Sequence, residues 1–121
     1  MEGAIALYQQ SLEIKEQIGN AQGKAATLHN LASLKANQGD VEGAIALFNQ
    51  SLEIEDRIGD VQGRAMTLQW IGWLAASAQQ DYETGIRCLQ ESVEILERIG
   101  SAEATNARRV LERIQQMAND A

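Results

Sequence analysis

Hydrophobic residues along this chain recur at helical spacing, and the pattern itself is repeated. The segment EGAIALYQQSLEI starts at Glu2, and EGAIALFNQSLEI starts at Glu42, 40 residues later. A third and less similar version, ETGIRCLQESVEI, starts at Glu83. A fixed period of this size is typical of proteins that stack one supersecondary unit, so the period is interpreted before any single motif.

Each copy places apolar residues on one side of a helix and polar residues on the other. A glycine follows each copy, in IGN at Ile18, IGD at Ile58 and IGS at Ile99. It can take the left-handed backbone that ends a helix, and the next residue can cap the following helix. Between one glycine-containing helix end and the next copy lies a second type of helix, such as AQGKAATLHNLASLKANQ. With the copies named B and the second type A, the pattern predicts the order B, A, B, A, B, A over residues 2–18, 22–38, 41–58, 62–79, 82–99 and 103–118.

Turns of two to four residues force successive helices to run antiparallel. The sequence therefore predicts an all-α stack of helix hairpins, forming a single domain over residues 1–121 with repeat phases that start near residues 2, 42 and 82. The turn SAQQD is one residue longer than its counterpart NQGD and lacks glycine, so we expect it to be looser or to extend the helix before it. The last helix, 103–118, matches the pattern poorly and is interpreted as the polar capping helix that repeat arrays need.

The composition narrows the class of partner. A net charge of −7 over 121 residues argues against nucleic acid and anionic membranes, because both need Lys and Arg to neutralise phosphate. No uncharged stretch reaches the roughly 20 apolar residues of a membrane span. No basic region of a signal peptide opens the chain, so we expect a cytoplasmic protein.

The sequence offers few candidate residues for catalysis or metal binding. The chain has one His and one Cys, and no spacing motif joins either of them to a set of ligands. The many carboxylates fall on the polar sides of the B helices, where charge is usually solvated. Cys88 lies in an apolar helical pattern and is predicted to be a small core residue. We therefore expect no catalytic residue, no metal site and no cofactor, and an enzyme is the most distant alternative.

The helix pairs resemble the tetratricopeptide repeat. That family places a large apolar residue and Leu followed by Gly or Ala in helix A, and Ala, an aromatic residue and Ala in helix B. The residues at those positions are Leu28, Leu31, Ala32, Ala44, Phe48 and Ser51 in one unit, and Leu68, Ile71, Gly72, Gly85, Leu89 and Ser92 in the next. The period near 40 is similar to the longer repeats of kinesin light chains and Pins-type adaptors. The family's aromatic residue in helix A is missing, with Lys35 and Ala75 in its place, and so is its proline after helix B.

The resemblance implies a helix-hairpin solenoid whose A helices line a concave groove. It implies a non-catalytic module that binds a peptide or a partner helix there, at His29, Asn30, Ser33 and Asn37 in one unit and Met66, Gln69, Trp70 and Trp73 in the next. The family's carboxylate clamp would need repeated Asn and Lys or Arg, so a C-terminal carboxylate is not the expected ligand. Tryptophan is a common anchor in interfaces, although Trp70 or Trp73 could instead fill the space that Ala75 leaves.

Two alternative functions remain open, an assembly scaffold and a fragment of a larger signalling protein. The first B helix has no A helix before it in this sequence, so we expect part of its apolar face to be exposed and to find a partner. Weak head-to-tail association would place that face against the last helix of another copy. The residues expected to take part are Ile5, Tyr8 and Leu12 on the first helix and Val110, Leu111 and Ile114 on the last.

Overall fold

A computed structural model describes residues 2–17 and 20–121 of the chain, with the side chains of residues 3–13 and 20–121. Within these residues the structure contains α-helices and no strand. The helices are α1 (Glu2–Gln17), α2 (Ala21–Asn37), α3 (Val41–Ile58), α4 (Val61–Gln79), α5 (Tyr82–Arg98) and α6 (Glu103–Asp120). All six lie within two residues of the predicted bounds, and the all-α class is confirmed.

Side-chain caps start three of the helices, of which the cap Asn20 was expected from the sequence and Asp81 was not. In each case a backbone N–H of the first turn donates to the side chain three residues earlier, as Gly23 does to Asn20 at 2.7 Å, Gly43 to Asp40 at 3.0 Å and Thr84 to Asp81 at 3.2 Å. The predicted cap Ser101 acts one residue further from its helix. Its hydroxyl accepts from the backbone N–H of Glu103 at 3.1 Å, while Ala102 occupies the N-cap position.

Left-handed backbone follows the helices where the sequence supplies glycine. Gly39, Gly59 and Gly100 have φ values of 86°, 75° and 69°, whereas Ile18 and Gly19 lie outside the described residues. After α4 no glycine is available, and Gln80 takes a φ of 54° instead. Since α4 has 19 residues against 17 in α2, the longer turn extends the helix, which is one of the two outcomes expected from the sequence.

The structure divides into two compact units, Met1–Asp60 and Val61–Ala121. In the first unit α2 packs against both α1 and α3. The buried face of α2 meets α3 closely, because Ala32 and Phe48 are both fully buried. The hydroxyl of Ser51 donates to the backbone carbonyl of Ala25 at 3.1 Å, so its buried polar group is satisfied.

The second unit repeats this packing between α4 and α5. The hydroxyl of Ser92 donates to the backbone carbonyl of Ala65 at 2.7 Å, and Leu89 is fully buried against Gly72. Helix α6 then packs on α5 and, to a smaller extent, on α4. Its buried residues are Ala104, Ala107 and Ile114. Cys88 is buried as predicted, and burial raises the pKa of its thiol.

Gly85 sets how closely α4 and α5 approach in the second unit, and its replacement tests this packing. A Cβ at Gly85 would lie 2.9 Å from Cβ of Ala76 and 2.9 Å from the carbonyl oxygen of Gly72, so the helices would have to separate. Overpacking costs about 1 to 3 kcal/mol, which outweighs the gain of about 1 kcal/mol from removing a helical glycine. We expect Gly85→Ala to lower the free energy of unfolding in urea.

The matched control is Gly3→Ala in α1, where a new Cβ would meet no atom within 4 Å. This variant should keep or raise the free energy of unfolding, by up to about 1 kcal/mol. Equal stability of the two alanine variants would contradict the close approach of α4 and α5.

Candidate protein-binding groove

A groove with a volume of about 430 Å³ lies between α4 and α6 in the second unit. The two helices present side chains to it from opposite walls. The lining residues are Met66, Gln69, Trp70 and Trp73 from α4, and Asn106, Arg109, Val110 and Arg113 from α6. The structure thus brings together all four positions that the resemblance implied on α4.

The α4 wall is largely aromatic. Trp70 is 41% exposed and Trp73 is half-buried, whereas Gln69 is buried and its side-chain amide donates to the sulfur of Met66 at 3.6 Å. Ala75 is 2% exposed in the packed core. Trp70 is thus not one of the buried core residues, and it presents part of its indole to the groove.

The α6 wall is cationic. Arg109 and Arg113 are exposed, and within the described part of the chain neither has an ion-pair partner within 4.0 Å. Three other arginines of this unit are paired, as Arg64 is with Glu91 at 2.8 Å and Arg108 with Glu97 at 3.4 Å. The groove thus places two positive charges beside an exposed indole in a protein whose net charge is −7.

Sequence reasoning missed the contribution of α6 to the groove. Helix α6 matches the repeat poorly at its core positions, and the sequence analysis expects Val110 in a self-association surface. The repeat gives no signal for the groove face of α6, because the third copy starts 41 residues after the second. Adding 41 to the α4 positions 66, 69, 70 and 73 gives 107, 110, 111 and 114, and of these only Val110 lines the groove.

The predicted groove residues of α2 lie in the first unit, on one side of that helix. Asn30 and Asn37 are exposed, and the hydroxyl of Ser33 donates to the backbone carbonyl of His29 at 3.1 Å. The His29 ring makes a T-shaped contact with the ring of Phe48, with centroids 4.9 Å apart. Burial lowers the pKa of His29, because the neutral imidazole is favoured away from water.

The residues expected at the chain ends have different environments. Ile5, Tyr8 and Leu12 on α1 are half-buried, while Leu7, which the sequence analysis did not single out, is 67% exposed. On α6, Val110 lines the groove, Leu111 packs against the buried cluster around Leu96, and Ile114 is fully buried. These three α6 residues therefore do not form an exposed apolar face.

Two features of the described residues concern metal binding and membrane spanning. Among them, no group of three or more His, Cys, Asp or Glu side chains converges in a way that could hold a metal ion. None of the described helices combines the length and apolarity needed to cross a membrane. What the groove offers chemically is apolar contact and positive charge.

Comparison with known proteins confirms the resemblance drawn from the sequence. The model of the tetratricopeptide repeat family matches residues 1–57. Among solved structures, BtubC (BKLC) from P. vanneervenii superposes on 96% of this chain with a TM-score of 0.84 and 18% sequence identity. The likeness confirms the helix-hairpin solenoid as the fold, and the chain spans about half, 49%, of the length of BtubC. No curated protein matches the chain in sequence.

Because burial lowers the pKa of His29, the stability of the protein should depend on pH near neutrality. The unfolded chain takes up a proton on this residue as the pH falls through about 6.5, whereas the folded chain does so only at a lower pH. Stability is therefore complete above this range and decreases as the pH falls, until the folded imidazole also protonates. We expect the urea midpoint to fall between pH 7.5 and pH 5.5.

The variant His29→Gln removes the titrating group and is the control. Its urea midpoint should change less over the same pH interval, which lies above the range where most carboxylates titrate. An equal change in the variant and the natural protein would show that His29 is not responsible.

Proposed function

We propose that this chain is a non-catalytic protein-binding module and that its partner docks a peptide or helix segment in the groove between α4 and α6. Tetratricopeptide repeats generally mediate protein–protein interactions and typically lack catalytic activity. The observation that carries the proposal is a groove with two tryptophans on one wall and two arginines on the other, where neither arginine has an ion-pair partner among the described residues.

The indole groups define the apolar part of the partner. Trp70 keeps 41% of its surface exposed, and Trp73 lies beside it on the next turn of α4. Tryptophan buries a large area at a small entropic cost and is enriched among the residues that dominate binding energy. An apolar or aromatic side chain of the partner would cover both rings.

The arginines define the polar part. Arg109 and Arg113 lie one helical turn apart and face the same groove. A guanidinium group binds a carboxylate with two parallel hydrogen bonds, and the interaction is stronger when water is partly excluded. We therefore propose a partner segment that carries Asp or Glu close to its apolar side chain.

Selection of binding peptides from a displayed random library tests the groove with no partner chosen in advance. We expect enriched peptides to combine an apolar residue with acidic residues. Trp73→Ala should weaken their binding by about 2 kcal/mol, or about 30-fold in Kd, as measured by fluorescence anisotropy. Trp70→Ala is a second variant at a more exposed position, and circular dichroism checks that both variants remain helical.

The proposed contact between the arginines and an acidic partner can be tested with a control variant of the same change in charge. Arg113→Glu and Arg87→Glu change the net charge equally, but Arg87 is an exposed residue of α5 that does not line the groove. Only Arg113→Glu should weaken the selected peptides, by about 10-fold or more if a charge-assisted hydrogen bond is lost. Undiminished binding to Trp73→Ala would refute the groove, whereas equal effects of the two arginine variants would refute the acidic partner alone.

A further inference from the structure

Gln69 is a polar side chain in a buried position of the groove between α4 and α6. Its exposed fraction is 8%, although it lines the groove together with its neighbours Trp70 and Trp73. A carboxamide that is withdrawn from water requires hydrogen-bond partners, because each unpaired polar atom costs free energy. The hydrogen bonds of Gln69 therefore show whether the groove is complete without a ligand.

The protein satisfies this carboxamide only in part. One N–H of Nε2 donates to the sulfur of Met66 at 3.6 Å, and a thioether is a weak acceptor. Within the described residues the side chain of Gln69 makes no other hydrogen bond. Its oxygen Oε1 is reached by solvent, since no fully buried side-chain oxygen or nitrogen of the described residues lacks a partner. Oε1 and the second N–H of Nε2 are thus left for a ligand in the groove.

A ligand that pairs with both atoms has to present a donor and an acceptor side by side. In extended backbone the N–H and the C=O of one residue point to the same side, which is how paired strands exchange two hydrogen bonds. In the interior of a helix these groups already bond to each other. An extended segment can therefore pair with Gln69 through its main chain, whereas the middle of a helix cannot.

The two walls of the groove favour the same conformation. Trp70 and Trp73 offer apolar contact on the α4 side, while Arg109 and Arg113 offer positive charge on the α6 side. Successive side chains of an extended segment point in opposite directions, so neighbouring apolar and acidic residues reach opposite walls. The main chain of such a segment runs between the walls.

We propose that Gln69 determines the conformation of the partner segment. Its carboxamide donates to the C=O and accepts from the N–H of one main-chain residue, so the segment binds in an extended form and not as a helix. This role rests on the proposed function, since it requires a segment docked in the groove. A helix with the same apolar and acidic side chains is rejected, because it would cover Gln69 and leave the carboxamide unpaired.

The peptides selected for the groove serve as probes, with Kd measured by fluorescence anisotropy. Gln69→Leu removes both hydrogen-bonding atoms at similar volume and should weaken binding by about 10-fold or more. Gln90→Leu is the matched control, because Gln90 is an exposed residue of α5 that does not line the groove. This control should bind the peptides as the natural protein does, and thermal melts check that both variants are folded.

Replacement of single main-chain amides of the peptide by esters tests the main-chain contact. Each ester removes one N–H with little change of shape. At one position the ester should weaken binding to the natural protein by about 5-fold or more, because Oε1 of Gln69 loses its donor. The same ester should not weaken binding to Gln69→Leu any further, since the two changes remove the same hydrogen bond.

The role of Gln69 is refuted if Gln69→Leu binds as tightly as the natural protein while Trp73→Ala does not, and the groove then remains the binding site. It is also refuted if no ester weakens binding to the natural protein, or if α-aminoisobutyric acid, which favours helix, tightens the binding of the peptides. These two measurements decide the question on the natural protein even if Gln69→Leu does not fold. If neither Trp73→Ala nor Gln69→Leu weakens binding, the groove itself is refuted, and the role of Gln69 with it.

Discussion

The close contact between each A helix and the B helix after it is the constraint on which the rest of this structure depends. In the second unit Gly72 of the A helix lies against Leu89 of the B helix, and in the first unit Ala32 and Phe48, at the corresponding positions, are both fully buried. In both units a serine hydroxyl of the B helix donates to a backbone carbonyl of the A helix. Close packing and this hydrogen bond together fix the separation and the rotation of the two helices, because neither helix can turn without creating a void or an unsatisfied hydroxyl.

This contact uses only one side of each A helix and leaves another side free to vary. Along α2 that side carries His29, Asn30 and Ser33, whereas along α4 it carries Gln69, Trp70 and Trp73. His29 touches Phe48 and Gln69 is buried, so it is the exposed residues Asn30 and Trp70 whose difference costs the A–B contact little. A repeat fold therefore separates two requirements. The packed positions determine the architecture, and the variable positions determine what is bound.

The helices could be predicted from sequence because capping residues that lie close to each helix end in the sequence determine where the helix begins. Asn20, Asp40 and Asp81 cap helices whatever the distant surroundings are. The groove was predictable on α4, where the core positions match the repeat, and not on α6, where they do not. The core positions of α6 say nothing about the residues on its groove face, so Arg109 and Arg113 could not be assigned to the groove from the repeat. The exposure of Trp70 and Leu7 could not be deduced from periodicity. Apolar residues at helical spacing indicate which face of a helix can pack against another helix, but not whether another helix covers that face.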